Sequence, residues 1–430
     1  MHRLTRRGLK LAVAALPGFA SCAAPAPQAA APQIVALDAG AQADGSGARS
    51  QSTDATPTAD TAGHDAGMSD GMNGADGVPA AEDATAQKTA VIWVHHPAPA
   101  TLVLRGSQAP LSWQADLTPQ TVGDSAARFD VPAVQGPFQV KPMATGAWSI
   151  GANYVVQLAQ PRHIYPYFDA KLAAPRRDDF SLPGPDGPPR VVRVRLPAGY
   201  DENTVATYPL LVMFDGQNVF DAQTATFGVA WELDDAIDAS MAEAKLQEVI
   251  VAAIDHGGSK RIHEYTPWPD PKYAGGGGPD HLAWIHTQVL PALVKKYRLQ
   301  PGASSRCIGG SSLGALMALY AVGAHPDQWS CAVAMSGAWW WAGLQVLTWL
   351  PTAPGVTGHP RLWLDVGTVK DGLQDTQAVR KKLLGLGWTD GASLGYFEAQ
   401  GADHSEKAWA ARAPMAVQFL FDPHDRAKPF

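Results

Sequence analysis

The sequence predicts an α/β fold, a mostly parallel sheet covered by helices on both faces, preceded by a small antiparallel β-sandwich. Two observations predict the larger part. Tyr208–Phe214 and Glu248–Ile254 are continuous apolar runs, as expected for strands buried on both faces. Helical patterns at Ala230–Ala242, His281–Tyr297, Ser312–Val322, Thr376–Leu386 and Ser405–Phe419 alternate with such strands, the signature of a parallel sheet with crossover helices. A third observation predicts the smaller part. Between 89 and 172, short β-rich runs (Ala90–His95, Thr101–Arg105, Ala127–Val131, Phe138–Lys141, Asn153–Leu158) are separated by Pro, Gly and Asp/Ser clusters. Their spacing, and segments such as Leu104–Trp113, suggest an immunoglobulin-like module.

The chain divides into four parts. Residues 1–22 read as an export signal: Arg3, Arg6, Arg7 and Lys10 precede an apolar stretch too short to span a membrane. Thr5–Lys10 looks like a twin-arginine signal. Phe19–Cys22 resembles a lipoprotein processing site, which would make Cys22 a lipidated membrane anchor; ordinary cleavage in the following Ala-rich stretch is the alternative. Either way the mature protein is expected outside the cytoplasm, periplasmic, lipid-anchored or secreted. Residues 23–88 are Ala, Gly, Asp, Ser, Thr, Pro and Gln with almost no aromatics, and nine Asp/Glu face two Lys/Arg. Such a composition cannot bury enough apolar surface to offset ordering entropy and reads as a linker. Its acidic spacing over His64–Asp76 does not fit an EF-hand. The β-sandwich at 89–172 and the α/β domain at 173–430 complete the chain. The β-module reads either as a substrate- or glycan-binding unit or as a rigid spacer that walls one side of the active site.

Charge narrows the function. The formal net charge is −7, and no basic surface for nucleic acid is evident. Cys307 and Cys331 fall in apolar runs read as neighbouring strands. They are expected to be buried thiols; a disulfide formed in an oxidising compartment is the alternative, although adjacent parallel strands rarely offer its geometry. His95 and His96 would point to opposite faces of a strand, which argues against a shared metal. Gly275–Gly278 lacks the Lys-Ser/Thr of a phosphate-binding loop and reads as a flexible loop.

The chemistry centres on Gly310-Ser311-Ser312-Leu313-Gly314, a sharp turn between a buried strand and an apolar helix. This Gly-x-Ser-x-Gly elbow would expose the Ser312 hydroxyl as a nucleophile. A serine needs a base, and usually an acid to orient it, in the chain order Ser, Asp/Glu, His. Among the histidines after Ser312, His359, His404 and His424 are weighed as the base. His404 lies in a loop between a strand and the last helix, where the base belongs. Asp371, in the loop after the strand Arg361–Val366, leads as the acid. Asp365 and Asp375 compete, Asp403 adjoins His404 so that its side chain should diverge, and a Ser–His dyad remains open. The backbone N–H groups of Leu313 and Gln217 are the candidate oxyanion donors, Gln217 following a core strand in the polar turn Asp215-Gly216-Gln217, with Gly216 as the second choice there. Trp339 and Trp340 should lie near the mouth and could stack on an aromatic or sugar group, although part of this Trp run should pack the core.

Phe214–Asp221, Trp231–Asp234, Arg261–Pro267, Gly310–Gly314 and His404–Trp409 together resemble the putative esterase family, the esterase D and enterochelin esterase group of α/β-hydrolases. The resemblance covers roughly 176–422. It implies an α/β-hydrolase fold and serine carboxyl-ester hydrolysis without metal or other cofactor, with Ser312 as nucleophile and His404 as base. Ala315 replaces a Gly common after this elbow, and the segment after Gly367 departs from the usual acidic position. Arg261, in the matching Arg-x-x-Glu-Tyr-Thr-Pro motif, would bind a carboxylate or acidic phenol, or pair with Glu264 or another carboxylate. The expected partner is a small-molecule ester of siderophore, aryl or feruloyl type. Acyl transfer to a sugar or lipid would use the same residues, and a non-catalytic surface binding protein is the reading from another class.

Overall fold

Residues 88–158 and 161–422 are described by a computed structural model of the chain. The export signal, Cys22 and the linker up to residue 87 lie outside the described residues.

Alternating burial in the first strands builds the β-module. Its strands are β1 (Lys88–His95), β2 (Leu102–Gly106), β3 (Thr121–Val122), β4 (Ala126–Val134), β5 (Phe138–Ala144), β6 (Ala147–Trp148), β7 (Tyr154–Val156) and β8 (Arg162–Ile164). They form two small sheets, β3-β4-β1-β8 and β2-β5-β6 with β7 also on β5. Ile92, Val94, Phe129 and Val131 of one sheet share a core with Leu102, Leu104, Phe138 and Val140 of the other.

The second part is a nine-stranded sheet. β9 (Arg176–Arg177), β10 (Phe180–Pro183) and β11 (Pro189–Leu196) form its antiparallel edge. Then follow β12 (Leu210–Met213) and β13 (Ile250–Ile254), and, after a short hairpin of β14 (Pro269–Asp270) and β15 (Ala274–Gly275), β16 (Arg306–Ser311), β17 (Cys331–Met335), β18 (Arg361–Gly367) and β19 (Leu394–Ala399). The order is β10-β11-β13-β12-β16-β17-β18-β19, parallel from β13 onward. Leu210 and Val212 join one apolar cluster and Leu211 and Met213 another, so both faces are covered, which explains the unbroken apolar runs.

The helices are α1 (Leu233–Ala242), α2 (Arg261–Glu264), α3 (Gly278–Trp284), α4 (Leu290–Lys296), α5 (Leu313–Ala324), α6 (Trp341–Trp349), α7 (Leu373–Gly385) and α8 (Glu406–Leu420). A π-turn at Ile285–Val289 joins α3 to α4, giving the single helix expected over 281–297. The sequence pattern did not predict α6, whose apolar residues show no helical stripe. None of the helices among the described residues is long and apolar enough to cross a membrane.

Two expectations are corrected here. Cys307 and Cys331 form a disulfide between β16 and β17 rather than remaining thiols. The strands pair in register, Cys307 opposite Cys331, with Cα atoms 4.6 Å apart, inside the range a disulfide spans. The β-module does not wall the active site through its contacts with the sheet. Asn203 Nδ2 donates to the carbonyls of His95 (2.9 Å) and Pro166 (2.8 Å), and the Glu202 carboxylate accepts from the N–H groups of Phe168 and Asp169. Both residues lie in the β11–β12 connection, at the N-terminal end of β12, whereas Ser312 follows the C-terminal end of β16.

Candidate active site

The site is assembled where the central parallel strands end. Ser312 lies between β16 and α5 with φ 55° and ψ −119°, a conformation that an L-residue holds only when its surroundings impose it. Those surroundings are explicit. Ser312 N–H donates to the Met335 carbonyl (3.0 Å), and the Ser312 carbonyl accepts from Ala338 N–H (3.0 Å). The flanking glycines permit the turn: a Cβ on Gly310 would come 3.0 Å from the Gly314 backbone, and one on Gly314 would lie 3.2 Å from Phe214 Cβ. α5 is apolar on all sides and almost wholly buried, which fixes the axis from which the elbow projects.

Asp371 and His404 meet across two loops, after β18 and after β19. His404 Nδ1 lies 2.5 Å from Asp371 Oδ1. The Asp371 side chain is fully buried while that of His404 is 40% exposed, so the carboxylate is fixed inside and the ring reaches the surface. The other Asp371 oxygen accepts from Ser336 Oγ (2.6 Å) and Gly367 N–H. Trp409 packs edge-on against the His404 ring, centroids 4.9 Å apart, and donates its indole N–H to Ser336 Oγ (3.0 Å).

The competing acids are engaged elsewhere. Asp365 is buried, accepting from Arg412 Nε (2.9 Å) and Trp363 Nε1 (2.8 Å). Burial pushes its carboxyl up to about 6, against the pull of Arg412 and Trp363, with nearby Asp371 adding to the rise. Asp403 accepts from Ser405 Oγ, and Asp375 sits in the first turn of α7. Arg412 is a residue that the motif reading missed. Only 2% exposed, it donates to Asp365 and to Ser336 Oγ (2.7 Å) and stands 3.8 Å from Asp371. Its spacing of three from Trp409 puts both on one face of α8, a charge on an otherwise apolar stripe.

Leu313 and Gln217 begin helical turns, where backbone N–H groups lack intrahelical acceptors. The Gln217 side chain is held aside: its Nε2 donates to Thr226 Oγ1 (3.3 Å) and its Oε1 accepts from His256 N–H (3.3 Å). Asp215, two residues before it, is left-handed (φ 56°) and buried, and grips Arg261 bidentately at 2.7 and 2.8 Å. Arg261 is thus an ion-pair partner of Asp215, while Glu264 pairs with Arg190 instead (2.6 Å). Glu406, at the start of α8, has its carboxyl raised by burial and also feels Asp215, His404 and Arg261, so this pair borders the His404 loop.

The tryptophans separate. Trp340 is 46% exposed and edge-on to Tyr273, whereas Trp339 is fully buried with its indole N–H on Thr376 Oγ1 (3.1 Å). The substrate-contact expectation for Trp339 is therefore corrected: it is a core residue. Phe227, in the loop after Gln217, is 68% exposed. Phe227 follows β12 and Trp340 follows β17, the two strands that flank β16.

The family model described as "Putative esterase" matches residues 187–419, more than half of the chain. The chain belongs to this esterase family. It is a serine ester hydrolase, and its substrates are carboxylic esters. Curated relatives include the uncharacterized protein YbbA of Bacillus subtilis, 22% identical over 53% of this chain and 90% of that protein. The siderophore triacetylfusarinine C esterase of Aspergillus fumigatus is 26% identical over 40% of this chain and 59% of its own length. Similar solved structures include a ferulic acid esterase (18% identity, 58% of this chain, 98% of that chain, TM-score 0.46). The enterobactin esterase of Shigella flexneri matches at 16% identity over 77% of this chain and 92% of that chain, with a TM-score of 0.46.

Proposed function

We propose that this esterase is an exported enzyme that cleaves aryl esters through a Ser312–His404–Asp371 relay and an acyl-enzyme intermediate. The observation that carries the relay is the Asp371–His404 hydrogen bond, made between loops that end β18 and β19 in the chain order Ser, Asp, His. Ser312 Oγ attacks the ester carbonyl while His404 Nε2 takes its proton. Asp371 holds Nδ1–H and stabilises the imidazolium. The developing oxyanion takes hydrogen bonds from the N–H groups of Leu313 and Gln217. The alcohol leaves with the proton from His404. Water, deprotonated by His404, then releases the acid and restores Ser312.

Aryl specificity is supported by Phe227 and Trp340, large exposed side chains on the loops of the two strands that flank β16. An aromatic acyl or alcohol group stacked there would bury apolar surface worth about 1–2 kcal/mol. The similarity to a siderophore esterase is consistent with such a substrate. Export is supported by the Arg6-Arg7 segment and by the Cys307–Cys331 disulfide, a bond that reducing compartments do not maintain.

The test compares hydrolysis of aryl esters, among them feruloyl and catechol-type esters, with straight-chain alkyl esters of equal reactivity. The proposal expects kcat/KM about tenfold or more in favour of the aryl group, from the stacking energy above. Equal rates for both classes would refute the aryl assignment, and full activity of Ser312→Ala would refute the relay.

A further inference from the structure

A cavity lies at the opposite end of the sheet from Ser312. Between the β-module and the sheet is a cavity of about 510 Å³, lined by Tyr154, Arg162, Tyr167, Tyr208, Asp238 and Glu248 among others. Tyr208 precedes β12 and Glu248 precedes β13, so the cavity opens at the N-terminal ends of strands whose C-terminal ends carry the catalytic loops. A strand's length, roughly 15–20 Å, separates the two.

The chemistry of its wall is specific. The Glu248 carboxyl makes no hydrogen bond to another described residue, and the opposite charge it feels is that of Arg195. Arg195 makes its hydrogen bonds to Asp238, on the same wall, and to the Val249 carbonyl rather than to Glu248. Tyr154, Tyr167 and Tyr208 line the same cavity as Glu248, and its nearby charge adds to the burial that raises each of their hydroxyls above the ordinary value. A carboxyl and tyrosines on one cavity wall suit an organic cation: aromatic rings attract it and the carboxylate neutralises it. The volume lies within the range of small-molecule sites.

We propose that this cavity is a second ligand site, which takes a small organic ammonium ion through Glu248 and the three tyrosines. It is separate from ester hydrolysis and does not rest on the relay. Burial carries the Glu248 carboxyl up to about 8, so near neutral pH it is mostly protonated before the ligand arrives. Binding the ammonium therefore releases that proton to the buffer and leaves a carboxylate–ammonium pair.

The test is titration calorimetry of the full chain with phenethylammonium chloride, with phenylethanol and phenylacetate as the neutral and anionic counterparts. The ammonium should bind at least about tenfold more tightly than either. Its heat near neutral pH should vary with the ionisation enthalpy of the buffer. Glu248→Gln should weaken the ammonium by about tenfold or more and abolish the buffer dependence, with hydrolysis of p-nitrophenyl acetate unchanged. Tyr154→Leu should weaken binding yet keep the buffer dependence, which covers the case in which Glu248→Gln fails to fold. The proposal is overturned if none of the three compounds binds, if phenylethanol binds as tightly as the ammonium, or if folded Glu248→Gln binds like the wild type.

Discussion

Replacing Arg412 by Met tests how the acid of the relay is held. The perturbation removes one guanidinium and leaves two carboxylates, Asp365 and Asp371, both with fully buried side chains. It also strips an N–H donor from Ser336 Oγ, the hydroxyl that donates to Asp371. Breaking a buried ion pair from one side costs about 3–5 kcal/mol, because the abandoned charge stays desolvated. The cost must depend on pH. Asp365 already sits at about 6 in the wild type, above the ordinary value, and loss of Arg412 raises it further. In the variant the folded state therefore holds a proton that the unfolded state gives up, so its stability rises as pH falls towards the unfolded carboxyl pKa. Each pH unit in that window returns up to about 1.4 kcal/mol. Urea unfolding followed by tryptophan fluorescence should give a loss of about 3–5 kcal/mol near pH 8 and a clearly smaller loss near pH 5. Adding Asp365→Leu should recover much of the loss, since an ion pair replaced on both sides by apolar groups is nearly neutral. A loss under about 1 kcal/mol that is the same at both pH values would refute the shared-cation account.

The remaining predictions concern the site and the second cavity. Asp371→Asn should lower kcat on the order of 10³–10⁴-fold with little change in KM, because His404 loses the group that fixes its tautomer; steady-state kinetics would show it. Asp365→Asn should leave kcat within about tenfold, separating the two carboxylates. Trp340→Ala should raise KM for aryl esters by about five- to thirtyfold and leave alkyl acetates unaffected, in a parallel assay of both. Glu248, raised by burial to about 8, retains in the folded state a proton that the unfolded state loses above its ordinary 4.5. Wild-type stability relative to Glu248→Gln should therefore decline as pH rises through that window, by up to about 1.4 kcal/mol per unit, and level off above it. Denaturant titrations across this range would measure the slope.

What was legible in the sequence is what local chemistry dictates. The strands of the sheet announce themselves because both faces are buried, and the elbow does so because a Cβ on Gly310 would crowd the Gly314 backbone at 3.0 Å. Chain order and loop position were enough to bring Asp371 and His404 forward as candidates. What escaped depends on contacts distant in sequence. Arg261 finds its partner in Asp215, forty-six positions earlier, so its motif neighbour Glu264 was a misleading candidate. Trp339 and Trp340 are adjacent and alike, and only the packed helices decide that one is buried and the other exposed. The Cys307–Cys331 bond depends on strand register, which two apolar runs do not encode. The Arg412 network joins β17, β18 and α8, and an arginine on an apolar helical face was its only trace in the sequence.

The central claim is that Ser312 is a nucleophile activated by His404. Incubating the folded protein with a fluorophosphonate and locating the adduct by peptide mass spectrometry tests it directly. The account predicts a single adduct on Ser312, loss of esterase activity in step with labelling, and much slower labelling in His404→Ala. An unlabelled Ser312 in active enzyme, or equally fast labelling of His404→Ala, would contradict it.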